Sequence, residues 1–317
     1  MALQTNAFPT YSAIGNREDL SDEIYRIDPT DTPFLSGIDK TRATAVNHEW
    51  QTQALASPDG ANAQLEGDDY VAVAATPTVR LGNITQISNK RPSVTGTQES
   101  VRHAGRDSEL DYQVMLKGAE LKRDMETILL SNQAKATGST TVVRKLASVL
   151  SWIKTNTDKG ATGADPVSAD GTGTRTDGTQ RAFTETQFRN VLQSIWFNGG
   201  KPGVVIANGF NKQQFSNFTG RGTPMQDQAD RKITAAVDTY QSDFGTLKIV
   251  ADRFGRTRDV LILQMDMWGK AALPGRDMLS TPIAKVGDSE RRLILSEYTL
   301  EARNEKASGG VFDLTTS

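Results

Sequence analysis

Two histidines, His48 and His103, are the only side chains of this 317-residue chain whose ordinary pKa suits proton transfer near neutrality. A Ser/His/Asp relay needs one of them beside a carboxylate and a serine on a sharp turn, and no G-x-S-x-G stretch occurs. HEWQT, from His48, opens like a zinc-protease helix but lacks the second histidine one turn later. NGGKPG, Asn198 to Gly203, has phosphate-loop letters, yet Ile195 stands five before Gly200 and Pro202 replaces the magnesium-holding Ser or Thr. It reads better as a helix stop. Carboxylates recur in GDD at Gly67 to Asp69 and in DFG at Asp243 to Gly245. Without a glycine-rich loop or a catalytic HRD, the second triplet reads as a turn between strands. The acidic stretch from Asp158 to Asp177 lacks calcium-loop spacing and offers at most a weak surface cation site. With no cysteine, thiolate chemistry and sulfur-based zinc sites are excluded. No catalytic, metal or cofactor residue is assigned, and the expectation is that the chain is not an enzyme.

The elements that would have to position such chemistry are organised for something else. Asn16 to Ile38, NREDLSDEIYRIDPTDTPFLSGI, has one apolar stripe at helical spacing, Leu20, Ile24 and Ile27, before Pro29 and Pro33 force extended backbone. Such an arm needs a surface supplied from elsewhere. Val46 to Gly96 reads as two polar strands around a Gly, Asp and Asn-rich middle, a hairpin whose outer part has no core. GRDSELDYQVMLKGAELKRDMETILLSNQ then carries the clearest helical signal, with Leu110, Val114, Leu121, Met125, Ile128 and Leu129 on one face. Ser108 and Asp111 suit its start, and Lys117 with Glu120 and Lys122 with Glu126 suit exposed ion pairs.

A shorter helical pattern covers Val142 to Thr155. The next stretch, to Phe183, has almost no large apolar residue and reads as a flexible insertion or as a mobile loop that meets a partner. Thr184 and Gln187 then box the start of an amphipathic helix through Phe188, Val191, Leu192, Ile195 and Trp196. Beyond it GVVIAN, ITAAVDTYQSDFGTLKIVADRF and DVLILQM alternate strands with turns, with a helix at FNKQQFSNF, and RRLILSEYTLEARNEKASGGVFDL closes the chain as extended backbone.

Charge and composition set the outer limits. The 36 basic and 38 acidic residues are interspersed, so no basic face marks a tight nucleic-acid binder. Residues 1–13 lack a signal-peptide pattern, and no apolar run approaches the roughly 20 residues of a membrane span. A soluble protein made in the cytoplasm is expected, with no membrane partner. Arm, coreless hairpin and polar loop together point to a subunit whose missing contacts come from copies of itself.

The same pieces in the same order resemble a known family. NREDLSDEIYRIDPTDTPF, HEW, Glu66 with Gly67, GNITQI, GRDSELDYQ with KGAELKRDME, VDTYQSDFG and YTLEARNEKASGG are similar to major capsid proteins of tailed bacteriophages (Caudovirales/Caudoviricetes), in the subfamily formerly labelled as a domain of unknown function. The resemblance covers nearly the whole chain. It implies an α+β, HK-ninety-seven-type (Johnson) fold, with an N-terminal arm over 1–40, an extended loop over 41–100 and a spine helix with peripheral domain over 101–155. A flexible loop over 156–183, an axial domain over 184–288 and return strands over 289–317 complete it. It implies pentamers and hexamers of this chain closing an icosahedral head around double-stranded DNA held by weak non-specific contact, with portal and scaffold proteins as partners and a decoration protein as a further candidate. The virion, assembled in the host bacterial cytoplasm, would be its place.

Leu20, Ile24, Phe34 and Trp50 are the candidate subunit-interface residues. Some relatives weld subunits through a lysine on the extended loop. Here no lysine lies between Lys40 and Lys90, so a non-covalent shell is expected. Relatives with a fused scaffold carry a long helical N-terminal extension; this sequence starts at the arm, so a separate scaffold or a processed form is expected. An encapsulin-like nanocompartment shell and a carboxylate-dependent α/β enzyme are the alternative readings.

Overall fold

The computed structural model describes residues 28–67, 69, 74–218 and 238–316. The first elements are a single-turn helix α1 (Pro33–Gly37), strands β1 (Asp39–Arg42), β2 (Asn47–Thr52), β3 (Val79–Ile84), β4 (Gln86–Lys90) and β5 (Ser93–Thr95), then a short helix α2 (Gly96–Ser100). The longest helix, α3 (Glu109–Leu129), follows, and its 21 residues at 1.5 Å rise span about 30 Å. It begins where the sequence predicts, with Ser108 Oγ accepting from the Asp111 amide. Leu110, Leu121, Met125 and Leu129 are buried on the expected face, and Lys117 bonds Glu120 at 2.7 Å.

Glu126 does not pair outward with Lys122. It is fully buried, because the backbone amides of Phe34 and Leu35 offer it two hydrogen bonds of 2.7 Å each. The helical pattern expected over Val142 to Thr155 shrinks to α4 (Val149–Trp152). Residues before it run extended instead: Ala136 and Lys145 exchange backbone bonds, and Leu146 and Ala147 donate to Gln86 and Asn83.

The remaining elements are β6 (Thr157–Asp158), α5 (Glu185–Phe197), β7 (Val204–Ala207), α6 (Gly209–Ser216), β8 (Thr239–Ser242), β9 (Gly245–Ala251), β10 (Val260–Leu263), β11 (Trp268–Ala272), β12 (Leu279–Ile283), β13 (Ser289–Ala302) and β14 (Gly309–Val311). The capping box of α5 is formed, with Thr184 and Gln187 satisfying each other's backbone amides. Its end is the expected glycine stop: Gly199 takes φ +82°, a conformation that favours glycine, and the Gly199 and Gly200 amides close on Trp196 and Ile195.

Two cores follow from this order. In one sheet the 14-residue β13 is the hub: β11, β12, β4 and β5 all pair with it antiparallel, and β1 adds parallel to β11. Helix α3 packs on this sheet around Phe34, Trp152, Trp268, Tyr298 and Leu300. The second sheet has the order β6-β14-β10-β7-β9-β8, with Phe188, Val191, Ile195, Val205, Phe215, Ile249 and Ile262 between it and α5 and α6.

Sheet membership departs from the expected boundary at residue 288. Strands β11 and β12 belong to the sheet under the spine helix, since Trp268–Ala272 is in register with 298–302. Conversely, β14 leaves the return strands and pairs with β10 and β6 in the other sheet. Chain crossing between the two sheets ties them together through residues 303–308, where Ser308 Oγ accepts from the Trp268 indole at 2.9 Å.

Candidate functional site

The residues that suggested chemistry are dispersed. His48 sits on β2 and His103 in the turn before α3, and among the described residues no three of His, Asp and Glu come together as metal ligands. Asp243 to Gly245 is a turn between β8 and β9, where Ser242 Oγ donates to the Gly245 carbonyl and accepts from the Phe244 amide. Two buried carboxyls are pushed well above the usual range. Burial pushes Glu126 up to about 7 against its two amide bonds, and burial pushes Asp259 up to about 6 against Arg256 and Arg175. Neither faces a site: Glu126 is 0% exposed and the cavity beside Asp259 measures about 10 Å³, roughly one water. These are interior supports rather than an acid and a base awaiting substrate.

What the fold does position is a set of projections. Strands β2 and β3 form a separate two-stranded sheet whose period-two alternation turns His48 and Trp50 inward and Glu49 outward to Arg80. Trp50 donates its indole N–H to the Ala302 carbonyl at 3.0 Å and lies 5.5 Å from the Trp152 ring. Beside it His48 Nε2 is 3.6 Å from Glu301, which also accepts from Thr41 and pairs with Arg303. The contact with His48, opposed by burial and aided by Thr41 and Arg303, holds Glu301 down at about 2. The base of the hairpin is therefore clamped to β13.

Its outer part is bare where it is described: past the strands Gln53 still donates to the Thr76 carbonyl, but Leu55 is 97% and Leu65 77% exposed. A hairpin whose outer part has no core is what the sequence predicted for this segment, and among the described residues Leu55 and Leu65 stay largely uncovered.

Of the four expected interface residues, Leu20 and Ile24 lie outside the described residues. Phe34 is corrected: its ring is 0% exposed, edge-on to Trp268, so it braces the subunit's own core and has no surface to offer a neighbour. Proline 33 starts the helical turn that points it inward. Trp50 is half-buried and spends its polar atom inside the chain. Trp196, expected on the apolar face of α5, is instead 52% exposed, and with Phe197 on α5 and Phe244 on the β8–β9 turn it forms an exposed aromatic cluster that sequence reasoning missed, their ring centroids 5.5 and 5.4 Å from its own. The signal was present in consecutive Trp196 and Phe197, of which an amphipathic helix buries at most one side.

The loop over 156–183 is also corrected. It is packed, and its core is ionic because it lacks apolar residues. The Arg175 side chain is wholly buried, bonds Asp165 at 2.5 Å and stacks 3.4 Å over the Phe312 ring. Asp313 accepts from the Gly160 and Gly178 amides and from Arg258, while Asp177 takes Arg256. Against their burial, Lys159 and Arg175 hold Asp165 below the usual carboxylate range, and the Arg256 pair does the same for Asp177. Gly171, at φ +78°, lies where a Cβ would strike Ala147 and Trp152, seating the loop against the first core. Lys135 reaches from the Asp170 carbonyl to Gly82 on the hairpin base, so loop and hairpin share one support.

Known proteins match this arrangement over its whole length. The sequence model of the family described as SU10 major capsid protein matches residues 4–315. The major capsid protein of Escherichia phage Phieco32 is 29% identical over 346 residues, covering 96% of both chains. Among solved structures, the capsid asymmetric unit of Cyanophage A-1(L) superposes with a TM-score of 0.66 at 11% identity, over 97% of this chain and 98% of that one. The holo-SrpI encapsulin complex of Synechococcus elongatus superposes less closely, at 0.56 and 12% identity over 98% and 97%.

Proposed function

The chain belongs to the SU10 major capsid protein family, and from that premise we propose that it closes as pentamers and hexamers into an icosahedral head around packaged double-stranded DNA. As a phage major capsid protein with the α+β, HK-ninety-seven-type fold, it is a structural subunit rather than an enzyme, and it assembles with copies of itself in the virion capsid. The observation that carries the assembly reading is the hairpin: a base clamped to β13 by Trp50 and Glu301 presents an outer segment with bare Leu55 and Leu65.

The segment over 53–78 is the subunit's reach to its neighbour, and Leu55 and Leu65 join Leu20, Ile24 and Trp50 as anchors, Trp50 by holding the hairpin's angle. Subunit contacts are non-covalent, since the outer hairpin holds no lysine. The sheet that carries α5 and the Trp196, Phe197 and Phe244 cluster is the axial domain, around the symmetry axis of each capsomer. Portal and scaffold proteins complete assembly in the host cytoplasm, with a decoration protein as a further partner. The interspersed charges leave DNA held only by weak non-specific contact, which suits packaging and release.

The test exploits exposure. Leu55→Ser with Leu65→Ser alters side chains that are largely exposed in the subunit, so circular dichroism is expected unchanged while the yield of closed particles falls at least tenfold. Full particle yield would remove the hairpin from the interface. Nucleic acid inside the particles supports a phage head, whereas enzyme cargo without DNA would move the reading to a nanocompartment shell.

A further inference from the structure

A groove of about 640 Å³ opens between β4 and a tight turn at residues 138–143. Strand β4 follows β3 after the single residue Thr85, so the groove lies at the foot of the hairpin. The turn is held from several sides. Ala136 and Lys145 exchange backbone hydrogen bonds of 2.9 and 3.0 Å, and the Ser139 amide donates to the Val142 carbonyl at 2.9 Å. Ser139 Oγ accepts from the amides of Thr141 and Val142. Gly138 takes φ +74°, and a Cβ there would crowd Arg144 and the Val142 carbonyl.

So fixed, the turn holds two β-branched apolar side chains away from the core that would bury them. Val142 is 58% and Val143 71% exposed, and Ile87 on β4 is exposed in the same groove. Aliphatic groups presented together on a fixed turn mark a contact surface. Of the lining residues only Arg144 is charged, and its guanidinium stands 2.8 Å from the buried Glu297 carboxylate. An apolar, uncharged partner fits such a lining.

This chain carries a segment of that chemistry. Residues 53–65 are exposed throughout and include Leu55 and Leu65. Their one charged side chain, Asp59, accepts from the Ala61 amide within the segment. The groove beside the Trp196 cluster suits it less, being lined by Glu185, Arg189 and Asp243.

We propose that residues 53–65 of one subunit dock in the groove between β4 and the 138–143 turn of a second copy, setting the hairpin leucines against Ile87, Val142 and Val143. This rests on the reading of the hairpin as the reach to a neighbour, and it names the seat. Residue 65 stands 13 positions beyond the end of β2, up to about 40 Å of extended chain, enough to cross onto another subunit. Hairpin and groove are different surfaces, so the contact runs head to tail: each subunit gives its hairpin to one neighbour and its groove to the other. Contacts of this kind close into rings when the rotation between copies closes.

Because the chain has no cysteine, paired substitutions report the contact directly. Leu55→Cys and Leu65→Cys are each combined with Val143→Cys, and the particles are mildly oxidised and run on a non-reducing dodecyl-sulfate gel. At least one pair is expected to give linked dimers and larger species, while each single variant stays at subunit mass. Particles that show no linked species with either pair, or a bond closed only within one subunit, would overturn the proposal. Val142→Asp with Val143→Asp decides the matter should the Cys variants not assemble. Circular dichroism is expected unchanged and particle yield at least tenfold lower, whereas full yield refutes the groove. Particles lost with Leu55→Ser and Leu65→Ser but kept in full with the Asp pair would leave the hairpin reading standing and refute its seat alone.

Discussion

At the scale of single residues, the clamp at the hairpin base rests on Glu301, which gathers Thr41, His48 and Arg303. Its carboxyl is depressed from 4.5 to about 2, so its contribution is complete above about pH 4.5 and is lost as pH falls through 2. Glu301→Gln is expected to reduce unfolding stability at pH 7 by roughly 1–3 kcal/mol, and the deficit should vanish near pH 2. Denaturant titrations of both proteins across that range check it; a deficit independent of pH would assign the loss to packing. The Thr41 and His48 contacts reach Glu301 from more than 250 positions away and leave no trace in local spacing, which is why HEW read only as a polar strand. Trp50 was legible as a candidate contact residue, but its partner, the Ala302 carbonyl, was not. Glu126 was misread for the same reason. Four residues after Lys122 it fits an exposed pair, and only the tertiary arrangement brings the Phe34 and Leu35 amides to it.

At the scale of elements, α3, α5 and α6 were legible because amphipathic period and caps are local. The Ser108 and Thr184 caps form as the sequence predicts. The loop over 156–183 was not legible, because low apolar content describes both a loose segment and one folded around ions. Its centre is Arg175, fully buried between Asp165 and the Phe312 ring, with Asp259 close enough to feel its charge. Arg175→Met preserves length and removes the charge, leaving Asp165 and Asp259 buried with less compensation. A loss of about 3–5 kcal/mol is expected, and it should be partly recovered by adding Asp165→Asn. Thermal unfolding of the three proteins checks this, and an unchanged Arg175→Met melting point would mean that the network adds nothing to stability. Sheet membership was likewise hidden: short strands such as β11 and β14 carry no label saying which of two sheets they join, and only the long β13 with its crossing at 303–308 assigns them.

At the scale of the whole molecule, the described residues build two cores joined by a crossing chain and leave a bare hairpin and an exposed aromatic cluster. Both are surfaces a lone subunit has no use for. The architecture was legible from the order of motifs, which together reproduce that of a shell protein, whereas the identity of the neighbours was not, since interface pairs are residues of different copies. Copies meeting through many modest contacts give a wall in which stability belongs to the assembly. The most direct test of this account is the mass and appearance of the purified protein, by light scattering and negative-stain microscopy, followed by a dodecyl-sulfate gel of the same sample. Closed shells, or rings of five or six, that fall apart to a single 34.5 kDa band are predicted. A stable monomer that forms no larger species, even when a scaffold partner is supplied, would contradict it.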